Sequence, residues 1–199
     1  WRFEDGTMAG VWIYGTAASA FPERGTGYNY FDGVAWGPAP TLRIEDIRCG
    51  WPNIASWGAG GEITVAHNGN EGLEWCNREA KGTGAWTQFN FLGPAGIEDS
   101  PTWPRMVSSG VDKEYSHLFV STNAEWEDQI EACIYSRTSD GGETWEPHNV
   151  VHKEFLHRNH TRASQGLTVL PEESCPLQMK QGLEHFQLEL IEGKTRPQI

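Results

Sequence analysis

His148, His152, His157 and His160, with Glu154 among them, are the side chains whose types could hold a zinc ion. Imidazole nitrogens and a carboxylate suit that metal. Their spacings match no standard site and no cysteine sits nearby, so solvated histidines are the expectation and no metal is assigned. Cys49, Cys76, Cys133 and Cys175 form an even set that allows three pairings. With no C-x-x-C among them, disulfides and buried free thiols both stay open. No G-x-x-x-x-G-K-S/T, G-x-G-x-x-G or G-x-S-x-G string stands in a strand–turn–helix context. Nucleotide and serine-hydrolase chemistry are unsupported, and no cofactor is expected.

The elements that would position any site begin with the charge. The 199 residues carry 15 Lys and Arg against 27 Asp and Glu, a formal −12. Such a surface repels phosphate backbones and anionic lipid heads, so nucleic acid is not an expected partner. No apolar run approaches the roughly 20 residues of a membrane-spanning helix. The chain opens on Trp1 without a charged, apolar leader, which reads as a processed end or a fragment boundary. All ten Trp and every Asp lie at or before Trp145, whereas five of the seven His follow it. That break divides the chain into residues 1–145 and a C-terminal addition, 146–199.

Residues 1–145 repeat. Trp51-Pro52 and Trp103-Pro104 lie 52 residues apart, and each precedes an alternating run, Gly61–Asn68 or Tyr115–Asn123. Met8–Tyr14 is a third copy of that run. A strand, a Gly-containing turn and a Trp recur at Gly27–Trp36, Leu73–Trp86 and Ala132–Trp145. Short alternating runs bounded by Gly, Asn, Asp and Pro predict antiparallel hairpins. About four strands per period of ~50 residues is the signature of a propeller blade. A β-sandwich with similar hairpins is the rival.

Thr138-Ser139-Asp140-Gly141-Gly142-Glu143-Thr144-Trp145 fits Ser/Thr-x-Asp-x-Gly-x-Thr-Trp. The Asp carboxylate is expected to accept backbone N–H groups of its own turn, Gly to take a positive φ, and the Trp to plug the hairpin. The motif resembles the Asp-box, or bacterial neuraminidase repeat, of sialidase-like β-propellers; the copies ending at Trp36 and Trp86 are degenerate. Gly25–Gly33, Gly50-Trp51-Pro52 and Trp103–Met106 are similar to secreted Bacteroidetes proteins that pair such propellers with a type IX secretion signal. The resemblance implies a secreted or cell-surface setting and covers about residues 1–150.

A sialidase holds its sugar carboxylate with three arginines and uses a Tyr helped by a Glu as nucleophile. The family's Phe/Tyr-Arg-Ile-Pro motif is absent, and Leu42-Arg43-Ile44-Glu45 is the nearest string. What the resemblance offers is Arg24, Arg48 and Arg105 near strand starts as a ligand-binding set, with Tyr28 and Tyr30 as nucleophile candidates or strand packing. Catalytic residues stay unknown, and Thr138, Asp140, Gly142 and Trp145 are structural.

The expected fold is all-β: an incomplete propeller of about three four-stranded blades plus an irregular C-terminal segment. Closed propellers use about 4–8 blades. Self-association, the C-terminal segment or a longer protein would therefore complete the ring. The leading expectation is a non-catalytic module binding glycan or a protein partner. A sialidase-like glycoside hydrolase with further blades elsewhere, and a structural subunit of an extracellular assembly, are the alternatives.

Overall fold

The computed structural model describes residues 1–17, 19, 21–68 and 72–151. Readings placed on His152, Glu154, His157, His160, Cys175 and residues 166–191 lie outside the described residues. Trp1–Lys153 form one compact unit. It contains no helix among the described residues and three antiparallel sheets.

The first sheet pairs β1 (Met8–Tyr14) with β2 (Gly25–Phe31). The second is a meander of β3 (Gly50–Trp57), β4 (Gly61–His67), β5 (Leu73–Arg78) and β6 (Thr87–Phe91). The third repeats it with β7 (Pro101–Ser109), β8 (Tyr115–Thr122), β9 (Cys133–Thr138) and β10 (Val150–Val151). Val150 and Val151 thus extend the third sheet beyond residue 145.

Period-two alternation sorts the side chains between layers. Ile63 and Val65 of β4, with Leu73, Trp75 and Phe91, meet Met106, Leu118, Val120, Ile134 and Val151 of the third sheet in one core. Phe3, Ala9 and Ile54, flanked by Val11, Tyr28 and Tyr30, form a smaller core between the first two sheets. The second sheet is covered on both faces, which is why all six residues of β5 are buried.

The 52-residue repeat is a spatial repeat as well. β3 and β7, in different sheets, run side by side: Trp51 touches Trp103, and the Ser108 hydroxyl donates to the Ser56 carbonyl. One step of the repeat in sequence therefore carries a residue to the matching place in the next sheet.

Candidate functional site

The repeated Trp-Pro dipeptides produce the distinctive feature of one end of the sheets. Proline has no N–H to continue a ladder, and the register of each sheet shifts there, between Gly50 and Asn53 and between Thr102 and Arg105. Trp51 and Trp103 both take the left-handed conformation, each with φ 52°. For a non-glycine residue that costs on the order of 1–3 kcal/mol. Bulges re-aim side chains, and here they turn two indoles toward each other, edge to face at 5.2 Å. The rings stay 39% and 43% exposed.

Arg24, just before β2, lays its guanidinium 5.0 Å from the Trp51 ring centre. Its Nε donates to the Cys49 carbonyl at 3.0 Å. Arg48 joins it because both residues donate to the Phe21 carbonyl, Arg24 through its amide at 3.0 Å and Arg48 through Nε at 3.2 Å. The strap before β3 is laced to the start of β2 by Ile44 N to Thr26 O and Cys49 N to Arg24 O, both 2.9 Å. Buried Glu45 adds a bond from the Thr26 amide at 2.8 Å. Burial, then the nearby Arg48 charge, lowers the Arg24 pKa, though arginine remains cationic at neutral pH. Among the described residues the ion pairs are Arg78–Glu62, Lys81–Asp5 and Lys113–Glu4, so no described carboxylate neutralises Arg24 or Arg48.

His67 closes the other side. Its ring lies 5.7 Å from that of Trp51, and Nδ1 is 3.5 Å from the Thr102 hydroxyl. Burial, then Arg24, lowers its pKa, so the imidazole is neutral at neutral pH. Arg105, two residues beyond Trp103, donates from Nη1 to the Pro104 carbonyl at 2.8 Å. The structure thus brings Arg24 and Arg48 together with Trp51, Trp103 and His67, while Arg105 folds back on its own strand. Two arginines beside a half-exposed indole can bind a carboxylate whose carbon skeleton rests on the ring.

The Asp-box residues lie at the opposite end, after β9. Thr138 Oγ1 donates to Asp140 Oδ1 at 2.8 Å and accepts from the Gly142 amide at 2.9 Å. The Thr144 amide donates to Asp140 Oδ1 at 2.9 Å. Gly141 and Gly142 have φ of 78° and 106°. The turn docks on the second sheet: the Gly141 carbonyl accepts from Trp75 Nε1 at 2.8 Å and Asn77 Nδ2 at 2.6 Å. A Cβ on Gly142 would lie 2.3 Å from the Trp75 ring. Trp145 packs edge-on against Trp75 and Phe91, each at 4.8 Å. In the first sheet Asp32 does related work, accepting the Val34 and Ala35 amides at 2.8 Å.

Burial opposes ionisation of Asp140, but bonds from Thr144, Thr138 and the Gly142 amide outweigh it and hold the carboxyl below its ordinary value. A depressed acid contributes stability above the ordinary Asp range near about pH 4 and loses it as the pH falls through the folded-state value. Wild type should therefore melt higher than Asp140→Asn at about pH 7, with the gap closing as the pH falls below the ordinary Asp range. Circular-dichroism melts across that range check this; a gap independent of pH would assign Asp140 no role as an anion.

The tyrosine candidates sit elsewhere. Tyr28 donates to Glu62 at 2.7 Å, and burial, then Glu62, pushes its phenol well above the ordinary value. Held protonated, it is a poor nucleophile. Tyr30 packs in the smaller core. A Ser–His–Tyr chain, invisible in the sequence because its members lie on three strands, runs from Ser109 Oγ to His117 Nε2 at 2.7 Å and from Nδ1 to Tyr135 Oη at 2.8 Å. Burial, then Arg137, lowers His117 to about 4, which leaves a weak base at neutral pH. His148 lies 3.2 Å from the Leu92 carbonyl, edge-on to Phe91 and stacked near Trp145. Cys49 and Cys76 are buried free thiols.

No family model matches the sequence, and no curated protein or solved structure shows significant similarity to it.

Proposed function

We propose that the chain is a non-catalytic, extracellular module of the Asp-box β-propeller kind, and that its Trp51 end binds a carboxylate-bearing glycan. The propeller reading is supported by the repeated four-stranded meanders, the side-by-side first strands β3 and β7, and an Asp-box turn that docks one sheet on the next. The observation that carries the ligand class is an arginine with no described carboxylate partner lying over a half-exposed indole, with a second arginine, Arg48, bonded to the same Phe21 carbonyl as the Arg24 amide, in a chain of net charge −12. Their mutual repulsion is relieved by a bound anion. The acidic remainder of the surface disfavours polyanions, so one carboxylate per ligand fits better than a polyphosphate or sulfated polymer.

The test is calorimetric titration with methyl glycosides of glucuronic acid and sialic acid, and with their carboxyl-reduced forms. The acidic sugars should bind and the reduced ones should not. Arg24→Ala or Trp51→Asn should weaken binding about tenfold or more. Binding that survives both substitutions would sink the site. A fluorogenic sialoside should release nothing; turnover lost on Arg48→Ala or Arg105→Ala would favour a sialidase-like hydrolase instead.

A further inference from the structure

At the end of β3 opposite Trp51, segments from all three sheets close around a cavity of about 430 Å³. Its walls are residues 1–5 before β1, the turn at residues 58–61 between β3 and β4, and the turn at residues 111–113 between β7 and β8, with Ser56 and Lys81. The Gly58 amide ties two of these turns together by donating to the Lys113 carbonyl at 3.2 Å. Of the charged side chains in the lining, Lys81 is paired with Asp5 at 2.5 Å and Lys113 with Glu4 at 3.1 Å. That leaves Arg2 and Asp112, whose side chains have no partner among the described residues. The Glu4–Lys113 bridge brings their segments together, because Arg2 lies two residues before Glu4 and Asp112 directly precedes Lys113. Ser56 is buried, yet its hydroxyl has no hydrogen-bond partner among the described residues, a rare condition for a buried polar group. Trp1 and Val111, 41% and 95% exposed, add apolar surface to the same lining.

We infer that this cavity binds a free α-amino acid with a large apolar side chain. The ligand carboxylate pairs with Arg2, whose planar fork suits that group. The ligand ammonium pairs with Asp112, and the apolar side chain lies against Trp1 and Val111. The Ser56 hydroxyl gains a partner in the ligand's polar end. The lining charges balance, with Arg2, Lys81 and Lys113 against Glu4, Asp5 and Asp112. An ion of one sign would leave Arg2 or Asp112 unpaired, whereas a zwitterion satisfies both and adds no net charge to a chain of −12. The cavity volume lies in the range of small-molecule sites, about 300–1,000 Å³. The inference is independent of the glycan reading of the Trp51 end.

Titration calorimetry of the full chain with four probes tests this. They are L-phenylalanine, its N-acetyl form without the ammonium, its amide without the carboxylate, and glycine without the side chain. Phenylalanine should bind, and each of the other three should bind about tenfold more weakly or not at all. Arg2→Gln and Asp112→Asn should each weaken phenylalanine about tenfold. Both side chains are exposed, so the melting temperature should stay at the wild-type value. Arg24→Ala, at the other end of β3, should leave phenylalanine binding unchanged. An N-acetyl form or an amide that binds as tightly as phenylalanine overturns the zwitterionic ligand, and glycine binding equally well overturns the apolar contact. Failure of all four probes, or binding unaffected by both Arg2→Gln and Asp112→Asn, overturns the site.

Discussion

Arg78→Ala is expected to destabilise the chain by about 3–5 kcal/mol, because it strands a carboxylate inside the protein. Glu62 has no solvent exposure. Its Oε1 accepts from Arg78 Nε at 2.6 Å, Tyr28 at 2.7 Å and the Gly82 amide at 3.0 Å, with Arg78 Nη2 closing an ion pair. The guanidinium sits in the corner of an edge-to-face aromatic pair, 4.5 Å from the Tyr28 ring and 4.2 Å from Trp86, whose centres are 5.6 Å apart. Removing it takes away the charge partner of Glu62 within the second sheet and the cation packed against Tyr28 and Trp86, while the Tyr28 bond from the first sheet to Glu62 remains. Replacing both partners with apolar residues, as in Glu62→Leu/Arg78→Met, should cost much less than the single change. Urea unfolding of the two variants makes the comparison. A loss below about 1 kcal/mol for Arg78→Ala would mean that water reaches Glu62.

Trp75→Ala should cost a similar amount, about 3–5 kcal/mol, through a different mechanism. Trp75 is fully buried in the larger core. Its ring is the surface on which Gly142 sits and against which Trp145 packs, and its Nε1 holds the Gly141 carbonyl. Truncation leaves a cavity between the second and third sheets and loosens the Asp-box turn in the same stroke. Trp75→Phe keeps most of the volume, and Asn77 still holds the Gly141 carbonyl, so about 1–2 kcal/mol is expected. Guanidinium unfolding followed by near-ultraviolet circular dichroism reads both effects. A loss below about 1 kcal/mol for Trp75→Ala would mean that the second and third sheets are not joined through the Asp-box turn.

The bonds that tie one sheet to the next are what the sequence hides. Tyr28 and Glu62 are 34 residues apart, and Trp75 and Gly141 are 66 apart. Nothing in the spacing of those residues marks them as partners. The Trp-Pro dipeptides were legible as a period but not as a site, because only the shifted register shows that both indoles leave the strand plane together. Arg24 and Arg48 were candidates from their positions near strand starts; it is the shared Phe21 carbonyl that makes them neighbours. Arg105 had the same credentials and ends on its own strand.

What the amino-acid order determined by itself is local. Alternation over six to eight residues made strands, glycines and Asp140 made turns, and a 52-residue recurrence made a second four-stranded meander like the first. Those features follow from steric and hydrogen-bonding preferences that act within a few residues, so a short window contains their cause. The tertiary structure alone decided which faces met, which carboxylate was sealed against which guanidinium, and which indoles stayed in water. Those outcomes depend on the stacking of sheets whose contacts join residues tens of positions apart, and on the shared core that fixes how far one sheet turns against the next.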